Sequence, residues 1–204
     1  MPLRVAQRLS PRVVEEPTES GEPEAGREPA GAGPKVIDGL QLLGLAGGGI
    51  PSGPVVIDDP VGDQVGVGIA EWLAAGGADS VTLVSPDPVA GTMLALTGDL
   101  ADANVRLQRV GVNRQLRSRV TGVGAGQVEV VDIWTGEPSR LPAALLVDCG
   151  HRLAEDSLYR QLEDPGVLRA GDCVAPRTLL PAVLEGRRAA LQLLGRASPV
   201  GAPA

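Results

Sequence analysis

Two short segments carry residue types whose spacing bears on chemistry. The first follows the β-branched run Pro54 to Asp58 and reads Asp58-Asp59-Pro60-Val61-Gly62-Asp63-Gln64-Val65-Gly66-Val67-Gly68. A dinucleotide-binding turn needs glycines directly after its first strand, so that the backbone turns tightly and helix amides reach a pyrophosphate. Here Asp58, Asp59 and Asp63 crowd the place of a diphosphate, and Pro60 has no N–H to offer. Gly62, Gly66 and Gly68 then serve a turn and close helix–strand packing, and tight NAD(P) binding is not expected. The second segment is Gly171-Asp172, followed by Ala175, Pro176 and Thr178 ahead of a helical run. A carboxylate that accepts hydroxyls while helix amides face an anion is a coherent nucleotide contact. Asp172 would otherwise cap the last helix, but Ala175-Pro176 moves that cap toward Thr178.

The remaining reactive side chains form no catalytic set. His151 is the single histidine, and Asp148 and Asp156 lie near it without a nucleophile at a useful spacing, so it reads as an exposed loop residue. Asp87 falls two residues too late after the run Ser80 to Ser85 to serve as a ribose-binding acid. Cys149 and Cys173 are the two thiols and lack C-x-x-C spacing, so neither zinc nor an iron–sulfur cluster finds its ligands in this chain. Cys173 reads as a small buried apolar residue. No catalytic residue and no metal ligand is assigned.

The elements that must position these segments are those of an α/β domain. Of the 204 residues, 43% are apolar, enough for one core, and almost all of these are aliphatic. The net charge of −7, with no basic stripe and few aromatic residues, argues against nucleic acid as a partner. No run of about 18 apolar residues suggests a membrane span, and a cytoplasmic location is expected. Residues 1–34, rich in Pro, Glu, Gly and Ala, are expected to be a disordered extension, and 197–204 a flexible tail.

Between them, helical spacing covers Val36 to Leu45, which stops at Gly47-Gly48-Gly49. The run Pro54 to Asp58, the helical pattern Val65 to Ala75 and the run Ser80 to Ser85 make a β-α-β unit with parallel strands. A helix over Thr92 to Ala103 and a strand over Val105 to Gln108 follow. The runs Ser118 to Val123, Gln127 to Trp134 and Leu141 to Asp148 predict an antiparallel meander. After a short helix over Leu158 to Leu162, a strand over Val167 to Ala170 leads into Gly171-Asp172, and a helix over Leu179 to Leu194 closes the chain. The reading is a Rossmann-like parallel sheet with a β-meander at 35–150, then a segment at 151–196 of a short helix, a strand and a closing helix.

The stretch AGDCVAPRTLLPAVLEGRRAALQL, residues 170–193, resembles the C-terminal, glutathione-reductase-like region of the trimethylamine dehydrogenase and 2,4-dienoyl-CoA reductase family of NADH:flavin oxidoreductases. The shared pattern is Gly-Asp, Ala-Pro, then a helix with Gly-Arg-Arg-Ala-Ala. The stretch LLVDCGHRLAEDSLYRQL, residues 145–162, is similar to a family loop in which a strand ends in Thr-Gly-Arg; here Cys149 replaces the Thr and His151 precedes Arg152. The resemblance spans about residues 36–196. It implies a pyridine nucleotide-disulfide oxidoreductase-like fold, with a degenerate NAD-type domain at 35–150 whose acidic turn is similar to the trimethylamine dehydrogenase branch, then at 151–196 the last strand and helix of an FAD-type domain.

In that family a TIM barrel with FMN and a 4Fe-4S cluster comes first, then a Rossmann half with Gly-x-Gly-x-x-Gly, and neither is recognisable in this sequence. The implied role is a stand-alone, non-catalytic subunit of a heteromeric flavoprotein oxidoreductase engaged in electron transfer. It would dock on a catalytic flavoprotein subunit, complete an FAD or ADP site with Gly171, Asp172, Ala175, Pro176 and Thr178, and leave FMN and 4Fe-4S to the partner. Two other readings stay open: an independent small NAD(P)H-dependent flavin reductase, and a ligand-free degenerate interaction module.

Overall fold

A computed structural model describes residues 12–13, 33–45 and 50–197. The expectations for the rest of the N-terminal extension, for Gly47 to Gly49 and for residues 198–204 fall outside the described residues. Those up to His151 form one compact unit and those from Arg152 another.

In the first unit the strands are β1 (Arg12–Val13), β2 (Lys35–Asp38), β3 (Pro54–Asp58), β4 (Ser80–Val84), β5 (Asn113–Gln115), β6 (Ser118–Gly124), β7 (Gln127–Asp132), β8 (Pro138–Pro142) and β9 (Leu145–Asp148). Its helices are α1 (Gly39–Leu45), α2 (Gln64–Ala75) and α3 (Leu100–Arg109), with a 3-10 segment at Thr92–Leu96. One sheet runs β2-β9-β3-β4-β5, parallel throughout, and a second runs β1-β6-β7-β8. In the second, β6 to β8 are antiparallel and β1 lies parallel to β6.

Parallel strands covered on both faces read as unbroken apolar runs. Val55, Val56 and Ile57 in β3, and Leu146 and Val147 in β9, are buried to 1% exposure or less. On one face Val55, Ile57, Leu83 and Val147 pack with Val67, Ile69 and Leu73 of α2 and with Leu107 of α3. On the other, Val56, Val84 and Leu146 meet Val123, Val128 and Val130 of the meander. The sheet is therefore the middle layer, with helices on one side and the meander on the other.

The parallel sheet, the β-α-β unit and the meander match the expected α/β class. Five local expectations are corrected. Val36 to Leu45 is not one helix, because Lys35–Asp38 pairs along the edge of β9. The helix starts only after Asp38, whose carboxylate accepts the N–H groups of Leu40 and Gln41. Thr92 to Ala103 is likewise broken, at Gly98 with φ +84°, into the 3-10 segment and α3. Val105 to Gln108 is helical, not a strand, because Ala103 and Leu107, four residues apart, bury one stripe of α3 and outweigh the β preference of Val105.

The run Leu141 to Asp148 divides: β8 ends the meander at Pro142, while Leu145 to Val147 slot between β2 and β3 as a central parallel strand. Val167 to Ala170 forms no strand, since the described residues of the second unit contain no other strand to pair with it.

That second unit holds α4 (Ser157–Leu162), a 3-10 turn at Gly171–Cys173 and α5 (Leu179–Ala197). No residue from Arg152 to Gly195 is buried. Its internal ties are largely polar: Asp156 pairs with Arg160 at 3.0 Å and Arg169 at 2.6 Å, and the Arg169 guanidinium stacks 4.5 Å over Tyr159. Meanwhile α5 exposes Leu179, Leu180, Val183, Leu191 and Leu194, at 58% to 79%.

Candidate functional site

In a parallel α/β sheet, ligands meet the protein beyond the carboxyl ends of the strands. Asp38, Asp148 and Asp58 share one register across β2, β9 and β3, so all three stand at that edge. Asp38 caps α1, and Asp148 Oδ1 accepts the N–H of Gly150 at 2.7 Å. The Asp58 carboxyl is pushed up to about 7, first by burial and then by its neighbours Asp148 and Asp59. Cys149 follows β9, and its thiol is raised well above the ordinary range by burial and the surrounding aspartates, which keeps it a neutral thiol near pH 7. Among the described residues no cluster of His, Cys, Asp and Glu is arranged to hold a metal.

The turn from β3 into α2 is organised by Asp59, which is fully buried. Its Oδ1 accepts the Gly62 N–H at 2.9 Å, and Gly62 sits at φ +68°, a conformation that suits glycine. Asp59 is raised to about 7 by burial; the Gly62 and Val61 amides pull its value down, and the charges of Asp63 and Asp87 push it up. Asp63 does different work, capping α2 by accepting the Val65 N–H at 2.7 Å. So of the three carboxylates read as crowding this turn, Asp58 ends the strand, Asp59 fills the turn and Asp63 caps the helix.

The chain after β4 closes over the same turn. Met93 donates its N–H to Gly62 O at 2.9 Å, and a Cβ on Gly62 would lie 3.0 Å from Asp87 Oδ2 and 3.2 Å from Thr92 N. Ser85, fully buried, accepts the Asp87 N–H through Oγ, while the Ser118 N–H bonds Ser85 O and the Arg117 N–H bonds Asp87 O. Asp87 is therefore built into a backbone corner between β4 and β6.

The second unit holds the other predicted residues. Gly171 has φ +74°, and its N–H is accepted by Glu185 Oε2 at 2.8 Å from α5. Glu185 also pairs with Arg177, and the N–H groups of Val174 and Ala175 return to Gly171 O. The turn thereby presents Asp172 to solvent with no partner among the described residues, while Ala175 and Pro176 are half-buried and Thr178 directly precedes α5. An exposed carboxylate beside the start of a 19-residue helix suits the hydroxyl-and-anion contact expected of a flavin nucleotide. Gly171 and Asp172 lie in the 3-10 turn, Ala175 and Pro176 follow it, and Thr178 is the last residue before α5. Cys173 is half-buried and donates its S–H to Ala170 O, and His151 is exposed.

Sequence reasoning treated Asp59 as a repelling charge and missed its use as an internal acceptor. The signal was the Asp-x-x-Gly spacing from Asp59 to Gly62, the pattern of a side chain that bonds its own turn. Glu185 left no such signal, because only the tertiary path brings α5 back to Gly171.

No family model matches the chain. A curated relative, polyketide synthase GfsA of Streptomyces halstedii, is 38% identical over 84 residues, which is 41% of this chain and 1% of that protein. Histamine dehydrogenase from Rhizobium sp. 4-9 superposes with a TM-score of 0.72 at 26% identity, covering 87% of this chain. An amine oxidase, HisD of Pseudomonas geniculata N1 acting on 6-hydroxypseudooxynicotine, gives 0.69 at 24% over 76% of this chain. Thioredoxin reductase of T. acidophilum gives 0.53 at 17% over 71% of this chain and 52% of its own, a likeness of fold alone. The chain spans only 28% and 24% of the first two structures. These comparisons relate the chain to flavin-dependent oxidoreductases and give it the pyridine nucleotide-disulfide oxidoreductase fold.

Proposed function

We propose that the chain is a non-catalytic subunit of a heteromeric flavoprotein oxidoreductase of the trimethylamine dehydrogenase and histamine dehydrogenase type. The observation that carries this reading is the second unit, which matches part of a much longer flavoprotein yet buries no residue of its own from Arg152 to Gly195. A 19-residue helix showing Leu179, Leu180, Val183, Leu191 and Leu194 to water forgoes about 1.5–3 kcal/mol for each large side chain left uncovered. The fitting occupant is the FAD-type half of a partner flavoprotein, since in histamine dehydrogenase the matching region is part of one long chain.

In the docked state Gly171, Asp172, Ala175, Pro176 and Thr178 would complete an FAD or ADP site begun by the partner. Asp172 would accept ribityl or ribose hydroxyls, and the start of α5 would face the diphosphate. FMN and a 4Fe-4S cluster would belong to the partner's catalytic part, and the setting would be cytoplasmic. Among the described residues no helix is long and apolar enough to cross a membrane. An independent NAD(P)H reductase is disfavoured because Asp59 and the Thr92–Leu96 segment fill the turn that a dinucleotide would use.

The tagged full chain is expected to retain a flavoprotein of this type from its own cells, seen as flavin absorbance in the purified complex. Leu180→Asp with Val183→Asp should cut that recovery at least about tenfold while leaving the unfolding midpoint of the first unit unchanged. A monomeric chain that retains no flavin-bearing protein would overturn the subunit reading. Asp172→Ala is expected to leave assembly intact and lower the FAD or ADP content of the complex several-fold; unchanged content would remove the nucleotide contact and leave an interaction module.

A further inference from the structure

Glu185 is the single acidic residue of α5, whose other charged residues are arginines. Its side chain is 18% exposed: Oε2 accepts the Gly171 N–H at 2.8 Å and Oε1 pairs with Arg177. Ala182, three residues earlier on the same helix face, has its Cβ 3.6 Å from where a Cβ on Gly171 would stand. The turn therefore rests on one stripe of α5. Arg177 in turn donates through Nε to Ala175 O at 3.3 Å, and Gly171 O accepts the Val174 and Ala175 N–H groups at 2.8 and 3.2 Å. These bonds fasten the backbone on both sides of Asp172, which is exposed. From Arg152 to Gly195 no residue is buried, so no apolar core holds the shape of this turn. A bond from a backbone N–H to a carboxylate, stronger than one to a neutral oxygen, supplies the constraint instead.

We propose that Glu185 is a positioning residue: it sets the Gly171-Asp172 turn in the free chain, before a partner arrives, so that Asp172 stands ready for the hydroxyls of FAD or ADP. This role rests on the reading of Asp172 as the nucleotide contact, and Glu185 itself touches no nucleotide. A contact set in advance loses little freedom on binding, whereas a loose one must be ordered at that moment and binds more weakly. Arg177 offsets the charge of Glu185, so the tether adds no uncompensated carboxylate near a diphosphate.

The first measurement takes the full chain alone and follows the Gly171 and Asp172 amides by NMR relaxation. The native turn is expected to give order parameters of about 0.85, and Glu185→Ala to bring them below about 0.6. Glu185→Gln keeps an oxygen that can accept the Gly171 N–H and is expected to restore the native values. A native turn that is already mobile, or one that Glu185→Ala leaves rigid, would overturn the proposal. The second measurement takes the complex with the flavoprotein, stripped of nucleotide and titrated with FAD and with ADP. Glu185→Ala is expected to weaken FAD about tenfold and Glu185→Gln less than about twofold. A matching loss for ADP assigns the contact to the ribose, and a loss for FAD alone assigns it to the ribityl chain. In an Asp172→Ala background Glu185→Ala should change nothing further, because it acts through that carboxylate. A further loss of the same size there would make Glu185 a general support of the helix and overturn the positioning role. If Asp172→Ala weakens binding and Glu185→Ala does not, the nucleotide reading stands and the positioning role falls; if Asp172→Ala changes neither affinity, both fall.

Discussion

At pH 8.5 the Asp59→Asn chain is expected to be more stable than the native chain by up to about 4 kcal/mol, and near pH 4 the two are expected to match. Burial raises the folded-state value of Asp59 from 3.8 to about 7, so the folded chain holds its proton more tightly than the unfolded chain does. The stabilisation is complete below pH 3.8, falls as pH rises through the window from 3.8 to about 7, and is gone above it. Each unit of difference is worth roughly 1.4 kcal/mol, and the shift covers about three units. Asparagine has the same shape and never ionises. Its amide and the protonated carboxyl both lack a partner at the Oδ2 position, which is why the chains agree at low pH.

Asp58 is raised to a similar value, first by its own burial and then by Asp148 and Asp59, so Asp58→Asn is expected to show a gain with the same pH dependence. Urea unfolding from pH 4 to 9 reads the difference directly. A gap that stays constant with pH would show that Asp59 keeps an ordinary carboxylate value in the folded chain.

Gly66→Ala is the substitution expected to cost most at the same turn, about 3 kcal/mol at pH 7. Intrinsic propensity favours the opposite result, since alanine in a helix gains up to about 1 kcal/mol over glycine. Packing decides the sign. The new Cβ would meet Asp59 Cγ at 2.5 Å, Oδ2 at 2.8 Å and Cβ at 2.9 Å, and a short, fully buried side chain at a strand end has no room to withdraw. In an Asp59→Gly background the clash disappears and Gly66→Ala should become neutral or stabilising. Additive effects in that double-mutant cycle would mean that the two residues do not touch. Gly68, two residues on, has nothing within 4 Å of its Cβ direction and serves as the control, at which alanine should stabilise.

The larger elements were legible because each carries its own pattern. Val65 to Ala75 repeats its apolar residues at helical spacing, and Val55-Val56-Ile57 reads as a strand buried on both faces, whereas the Asp63 cap of α2 was read as a crowding charge. The errors gathered where tertiary partners decide. Asn113–Gln115 is polar and became β5 only because β4 offers it an edge. Val167 to Ala170 has strand-forming residues and remained irregular for want of a neighbour. At the site, the sequence located the acidic turn and the Gly171-Asp172 turn but did not show that Asp59 serves its own turn as an internal acceptor. That role depends on the Asp59 side chain folding back onto the Gly62 amide.

The position of β9 governs the order in which the first unit can assemble. Among the described residues β2 pairs with β9 alone, and β9 also joins β2 to β3, yet it comes after the whole meander in the chain. More than 100 residues separate Lys35 from its partner Leu145, so the loop-closure entropy of that pairing falls on the last step. A nascent chain that has reached β8 holds β3, β4 and β5 on one side and an unpaired β2 on the other. The sheet closes only when Leu145–Asp148 slides into the gap, and until then the sides of β2 and β3 that will flank β9 stand open to strands from other molecules.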